Sequence, residues 1–319
     1  MRNKSIFSAL LICSCVLFFS CNETDKNGKK LDTPTSGNIS IAVDESVKPL
    51  CDLQLSTFHS LYKRAQINAL YLPEGDAIKL FMNDSVKVVI ATRELTEEET
   101  AYFKQKKTPV HATKIAYDAV AIIANNQNAD STLSLAQLGD IMQGKITTWN
   151  QVNPKFSKDK IQVVFDNSQS STLNYMLKRF DVKGDLPANF SAVKTNPEVI
   201  TYIESNKNAL GIIGVSYISD RKDSMSNDFL ERIKVVAISP PDSALDADQP
   251  YYRPYQAHIK QRYYPLVREV FIISREPRTG LGTGFVSFVA GNKGQMIVRL
   301  SGLLPATMPV RLVNIKKKL

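Results

Sequence analysis

The pattern of apolar and polar positions divides the chain into alternating short strands and helices. Residues 39–43 alternate as a strand does, and residues 50–62 carry apolar side chains at helical spacing. A strand at 68–72, a turn at 73–76, a short helix at 77–82 and a strand at 86–91 follow. The helix predicted over 96–106 places Glu97, Glu98 and Glu99 in its first turn, where the helix dipole favours carboxylates. Two long strand patterns, 114–125 and 264–274, bracket the middle of the chain. Between them lie a helix over 133–142, strands at 161–165, 210–213 and 233–238, helices over 171–180 and 197–206, and a polar loop over 242–256. A single helix over 282–300 and a strand at 310–315 close the sequence. Strands alternating with helices predict an α/β fold with a largely parallel sheet. In such sheets ligands bind beyond the carboxyl ends of the strands. The turns after Val43, Leu72 and Ala91 are of that kind, and they carry Glu45, Ser46, Gly75, Asp76, Thr92 and Arg93.

One strand–turn–helix stands out, over residues 161–180. Its strand is β-branched and apolar, and its helix carries Leu173, Met176, Leu177 and Phe180 at helical spacing. The turn between them, Asp166-Asn167-Ser168-Gln169-Ser170-Ser171-Thr172, has no apolar side chain. A hydroxyl-rich turn opening a helix aims unpaired N–H groups and the positive end of the dipole beyond the strand, a place for an anion. The plainer reading is that Ser170 or Ser171 is a helix cap.

Charge and cysteines refine this picture. The 319 residues carry a formal charge of +9, spread along the chain apart from Lys316-Lys317-Lys318. No basic helix is interleaved with aromatics, so nucleic acid is not an expected partner. Arg2 and Lys4 precede an apolar run over 6–19 that is too short to span a membrane and has the flanks of a signal peptide. Beyond Cys21 the chain keeps one cysteine, Cys51, so no internal disulfide supports the fold. Residues 22–38 are polar and aperiodic and read as a flexible tether. Catalytic chemistry finds little support. His59, His111 and His258 are scattered without metal-ligand spacing, and neither G-x-S-x-G nor H-E-x-x-H occurs. The acidic residues Asp118 and Asp166 form a conceivable acid/base pair, with no distance available from sequence. No enzyme, cofactor or metal is expected.

Several stretches resemble the phosphate-binding lipoproteins of ABC transporters, PstS-like members of the periplasmic-binding-protein-like superfamily. Residues 17–21, LFFSC, resemble a lipobox, implying cleavage before Cys21 and lipidation of its thiol. Residues 116–152 match the family's L-x-x-L-x-x-I-x-x-G-K-I-x-x-W pattern through Leu135, Leu138, Ile141, Gly144, Lys145, Ile146 and Trp149. ATREL (91–95), residues 196–214 and the YYPLVREVFII stretch also match. The resemblance implies a two-lobe periplasmic-binding-protein-like fold (type II), each lobe a mixed, mostly parallel sheet flanked by helices. Residues 1–20 would be the signal peptide and 21–38 the tether. Residues 39–113 plus 268–319 would form lobe 1 and 114–267 lobe 2, with two hinge crossings and the ligand in the cleft between. It further implies phosphate or a similar small oxyanion as ligand, an ABC permease as partner, and a lipid-anchored place in the cell envelope, facing the periplasm or exterior. Ser170, Ser171 and Thr172 fall on the family's Ser-Gly-Thr. Asp166 falls where the family has an arginine, and Arg93 is the candidate to supply the missing charge. The alternative is a non-transport binding or scaffold module of the envelope with an altered anion site.

Overall fold

A computed structural model of the chain describes residues 31–128, 131–240 and 251–310. The leader, Cys21, residues 242–250 of the expected loop and nearly all of the expected last strand lie outside the described residues.

In the first half, β1 (Ser36–Asp44) lies between β2 (Arg64–Leu72) and β3 (Val88–Ala91), all parallel. A 3-10 turn (Glu45–Val47) leads from β1 into α1 (Lys48–Leu61), while α2 (Glu74–Met82) follows β2 and α3 (Glu97–Gln105) follows β3. Thr96 and Glu99 cap α3 reciprocally, each side chain on the other's backbone N–H. β4 (His111–Asn125) then passes from the first half into the second. After it come β5 (Thr132–Leu133), α4 (Leu135–Met142) and α5 (Trp149–Val152), whose Trp149 indole N–H donates to the Asn208 carbonyl at 3.1 Å.

The second half repeats the parallel theme. β6 (Gln162–Phe165) lies between β7 (Phe190–Ala192) and β8 (Ala209–Gly214), with α6 (Ser171–Arg179) after β6 and α7 (Asn196–Ser205) before β8. α8 (Ser224–Arg232), β9 (Ile233–Val235), β10 (Ala237–Ile238) and α9 (Gln256–Lys260) follow. The chain returns through β11 (Val267–Ser274), α10 (Leu281–Ala290), α11 (Asn292–Leu300) and β12 (Leu304–Pro305).

Antiparallel pairing joins the halves into one mixed sheet, β2-β1-β3-β11-β4-β8-β6-β7. β11 pairs with β3 and with the first part of β4, whereas β8 and β9 pair with the last part of β4. The change is abrupt: Ala119 lies opposite Val267, and the next residue, Val120, opposite Gly214.

The core follows the period of the strands. Ile41 and Val43 of β1 point to one face, with Phe58 and Phe285, and Ala42 between them points to the other, with Phe81, Phe103 and Phe271. In the second half Ile123, Val164 and Ile213 share the face of the sheet that carries Val199 and Ile203 of α7. β4 is buried at every position from Ala119 to Asn125, as expected of a strand covered on both faces.

Several boundaries differ from expectation. β1 starts at Ser36, inside the stretch read as tether, because Gly37 and Asn38 pair with Ala65 and Gln66 of β2. The single helix over 282–300 is two, broken at Gly291, whose ψ of 178° is extended. A Cβ on Gly291 would stand 2.8 Å from the Ser287 carbonyl oxygen. The strand over 233–238 divides between β9, on β4, and β10, on β5. α8 was not anticipated; Asp223 starts it by accepting from Ser226 N–H at 2.8 Å. No helix among the described residues is long and apolar enough to cross a membrane.

Candidate functional site

The carboxyl ends of β1 and β6 meet where β4 passes from β11 to β8. In the turn after β1, Asp44 accepts from Ser46 N–H at 3.1 Å and from its hydroxyl at 2.8 Å, which fixes the serine side chain. At the start of α6, Ser170 is the cap, accepting from Leu173 N–H at 3.2 Å, and Ser171 is left to face the first half. Its Oγ lies 3.0 Å from Ser46 Oγ. Arg268 of β11 reaches both: Nη1 donates to Ser171 Oγ and Nη2 to Ser46 Oγ, each at 2.8 Å. Behind it, Nε and Nη2 donate to Asp118 Oδ2 at 2.9 and 2.7 Å. Arg268 is 4% exposed and Asp118 not at all.

A second set of contacts surrounds Asn196, a fully buried residue at the start of α7. Its Nδ2 donates to Glu45 Oε2 at 2.6 Å and to Asp166 Oδ2 at 3.2 Å, and its Oδ1 accepts from Gly214 N–H at 2.9 Å. Thr172 donates to Asp166 Oδ1 at 2.9 Å. Tyr217 donates to the Glu45 carbonyl at 3.0 Å and contacts its carboxylate, and Ser216 donates to the Ser46 carbonyl at 2.7 Å. Gly214 lets these turns approach: a Cβ there would stand 2.5 Å from the Ser46 carbonyl oxygen and 3.2 Å from Arg268 Nη2.

A third set joins the start of α2 to the turn after β3. Glu74 Oε1 accepts from Thr92 N–H and hydroxyl at 2.7 and 2.8 Å. Arg93 Nε lies 3.3 Å from Glu74 Oε2, while its two terminal nitrogens grip Glu99 at 2.8 and 2.9 Å.

The electrostatics are weighted towards acid. Burial pushes the Asp118 and Asp166 carboxyls above the usual carboxylate range, against the hydrogen bonds that favour their charged forms. Glu45 is pushed up to about 7 by burial; Tyr217 and Asn196 oppose the shift, and Asp166 and Asp44 add to it. Glu74 is raised by burial and by Asp44. Burial works against the Arg268 charge, but Asp118 and Asp44 more than restore it. Among the described residues no group of His, Cys, Asp and Glu has the arrangement of a metal site.

Of the residues singled out by sequence, the fold gathers Glu45, Ser46, Asp118, Asp166, Ser171 and Thr172, with Ser170 as cap. Thr92 and Arg93 belong to the Glu74 set. Gly75 brings α2 near the turn after β6, a Cβ there lying 3.4 Å from Gln169 Oε1. Asp76 is instead half-buried and paired with Lys79 at 2.9 Å. Asn167 accepts from Gln169 N–H at 2.8 Å within its own turn, and Ser168 is exposed. The cation on the serines is Arg268, not Arg93, which Glu99 and Glu74 hold. Asp44, Glu74, Asn196, Ser216 and Tyr217 were also missed. Arg268 did leave a signal, a cation ahead of the apolar run Val270–Ile273, and Asp118 is its acidic counterpart in an apolar strand.

Residues 29–293 match the family model of the PBP superfamily domain. The chain belongs to the PBP superfamily. This superfamily member is 25% identical over 302 residues to a phosphate-binding protein PstS of Staphylococcus epidermidis, covering 92% of this chain and 87% of that one. It is 25% identical over 273 residues to PstS of Staphylococcus aureus, covering 84% and 79% of the two chains. Among solved structures, a Clostridium perfringens protein with bound phosphate superposes with a TM-score of 0.71 at 23% identity, over 85% of this chain and 100% of that one. An ABC-type phosphate transport receptor of Vibrio cholerae gives a TM-score of 0.63 at 21% identity, over 85% and 100% of the two chains. These likenesses show the periplasmic-binding-protein-like fold.

Proposed function

We propose that this chain is a substrate-binding protein that captures phosphate between its two halves and hands it to an ABC permease. The observation that carries the reading is the convergence of Ser46, Ser171 and Arg268, with contacts of 2.8–3.0 Å, from three segments far apart in sequence. The planar fork of a guanidinium suits two oxygens of a tetrahedral anion. The N–H groups opening α6 add donors and the positive end of a dipole. In the reading proposed, the halves part, and the anion enters between the two hydroxyls that touch in the closed form. The curated relatives carry the name phosphate-binding protein, which supports phosphate over other oxyanions and capture over catalysis.

The same reading divides the chain into lobes of residues 39–113 plus 268–319 and 114–267, and anchors it by a lipid on Cys21. The site would then face the periplasm or exterior. Calorimetric titration with phosphate and sulfate tests it: saturable binding of phosphate, and weak or no binding of sulfate, is expected. The excess of carboxyls around Arg268 is the observation that favours the second reading, a non-transport envelope module. Binding of a peptide or sugar in place of phosphate would decide for that one.

A further inference from the structure

The carboxyls around Arg268 set a problem that any anion entering the site must meet. Asp118 and Asp44 act on one guanidinium, and Asp44 also acts on Glu45 and Asp166, so with all of them ionised the cluster is negative before a ligand arrives. The Glu74 set beyond it adds Glu74 and Glu99 against Arg93. Buried charges without partners cost several kcal/mol each, so such groups shed their charge instead. An anion added here raises the cost further.

Glu45 is the carboxyl whose surroundings depend on closure. It is carried by the first half, but both its oxygens are bonded to donors of the second, Oε2 to Asn196 and Oε1 to Tyr217. Asn196 Nδ2 serves Asp166 as well, so two carboxyls from opposite halves share one amide nitrogen. Of the elements packed on its turn, β8 brings no titratable group, and the 3-10 turn Val215–Tyr217 brings Tyr217. α1 brings Lys48 and Asp52, which are exposed and paired with each other at 2.6 Å. The facing charges are therefore Asp44 and Asp166.

We propose that closure loads Glu45 with a proton, so that this site takes its anion and a proton together. The inference rests on the capture reading above. With the halves apart, Glu45 meets water and ionises as an ordinary glutamate. With them closed, burial and Asp166 of the second half add to Asp44 of its own half and hold its carboxyl up to about 7, against the hydrogen bonds from Tyr217 and Asn196. A group raised in the closed form favours closure fully below its open-state value of about 4.3. That contribution is lost as pH rises through the closed-state value. Capture thus weakens with rising pH by a route that belongs to the protein rather than to the ligand.

The test is titration with inorganic phosphate in two buffers of different ionisation enthalpy, which counts protons taken up. Wild type is compared with Glu45→Gln; the ligand's own ionisation is common to both. At about pH 6.5 the proton uptake of wild type is expected to exceed that of Glu45→Gln by roughly half a proton or more. Equal counts overturn the inference and leave capture standing. No binding by wild type overturns both. Because Glu45→Gln alters a binding turn, a second measurement follows the glutamate carboxyl carbons of wild type by NMR, with and without phosphate. One midpoint moving to about 7 or above with phosphate, on a signal missing from Glu45→Gln, supports the proposal. Ordinary midpoints in both states overturn it.

Discussion

Arg268 and Asp118 are register partners on β11 and β4, directly opposite one another, and their side chains form an ion pair at 2.7 Å with almost no exposure. Removing one charge strands the other in the core. Arg268→Met alone is expected to cost about 3–5 kcal/mol of stability, while Arg268→Met with Asp118→Asn recovers most of it. Denaturant midpoints of the three proteins check this. A double variant no more stable than the single one would show that the pair is not a unit.

Ser171 offers a gentler probe of the site than the arginine. A hydrogen bond from its hydroxyl to an anion is charge-assisted, contributing about 1.5–3 kcal/mol. Ser171→Ala is thus expected to weaken phosphate binding by about ten- to a hundred-fold, with the fold intact by circular dichroism. Arg93→Ala, whose side chain is held by Glu99 and Glu74, is expected to weaken it by much less. The reverse order, read by calorimetry, would return the role of anion-binding cation to Arg93.

Gly214→Ala tests closure itself. The added Cβ would meet the Ser46 carbonyl oxygen at 2.5 Å, a clash that parting of the halves in the capture reading would relieve. Phosphate affinity is expected to fall at least about tenfold with little loss of thermal stability, and small-angle scattering of the ligand-saturated protein should show a larger radius than wild type.

Asp166 gives a pH-dependent signature. Burial raises its carboxyl above the usual range, so its contribution to stability is full below its unfolded value and lost as pH rises through the folded one. Asp166→Asn has no such loss. Its melting temperature relative to wild type is expected to rise as pH climbs above the ordinary aspartate range. A difference that stays flat with pH would mean that Asp166 is not charged at a cost.

Much of the fold was legible because periodicity and turn chemistry are local. The hydroxyl turn after β6, the acidic first turn of α3 and the two long strands could each be read from consecutive residues. The site was legible only in part, because its decisive contact is not local: Arg268 and Ser46 are 222 positions apart. No periodicity states that β11 lies beside β4 in the register that sets Arg268 against Asp118. Comparison of turns drew attention to Arg93, the cation adjacent to a candidate turn. The break at Gly291 was hidden for a different reason. The apolar spacing continues on both sides of it, and only the packing of α10 against α11 shows that the backbone must open there.

The passage of β4 from β11 to β8 between Ala119 and Val120 has a mechanical consequence. One strand serves as the spine of both halves, like the fold of a book whose covers cannot be separated. In the capture reading proposed above, the halves would swing about that line and not slide along it, which keeps the ladder hydrogen bonds. Asp118 sits one residue from the crease, so in that reading a ligand held there would meet the part of the molecule that moves least while everything around it turns.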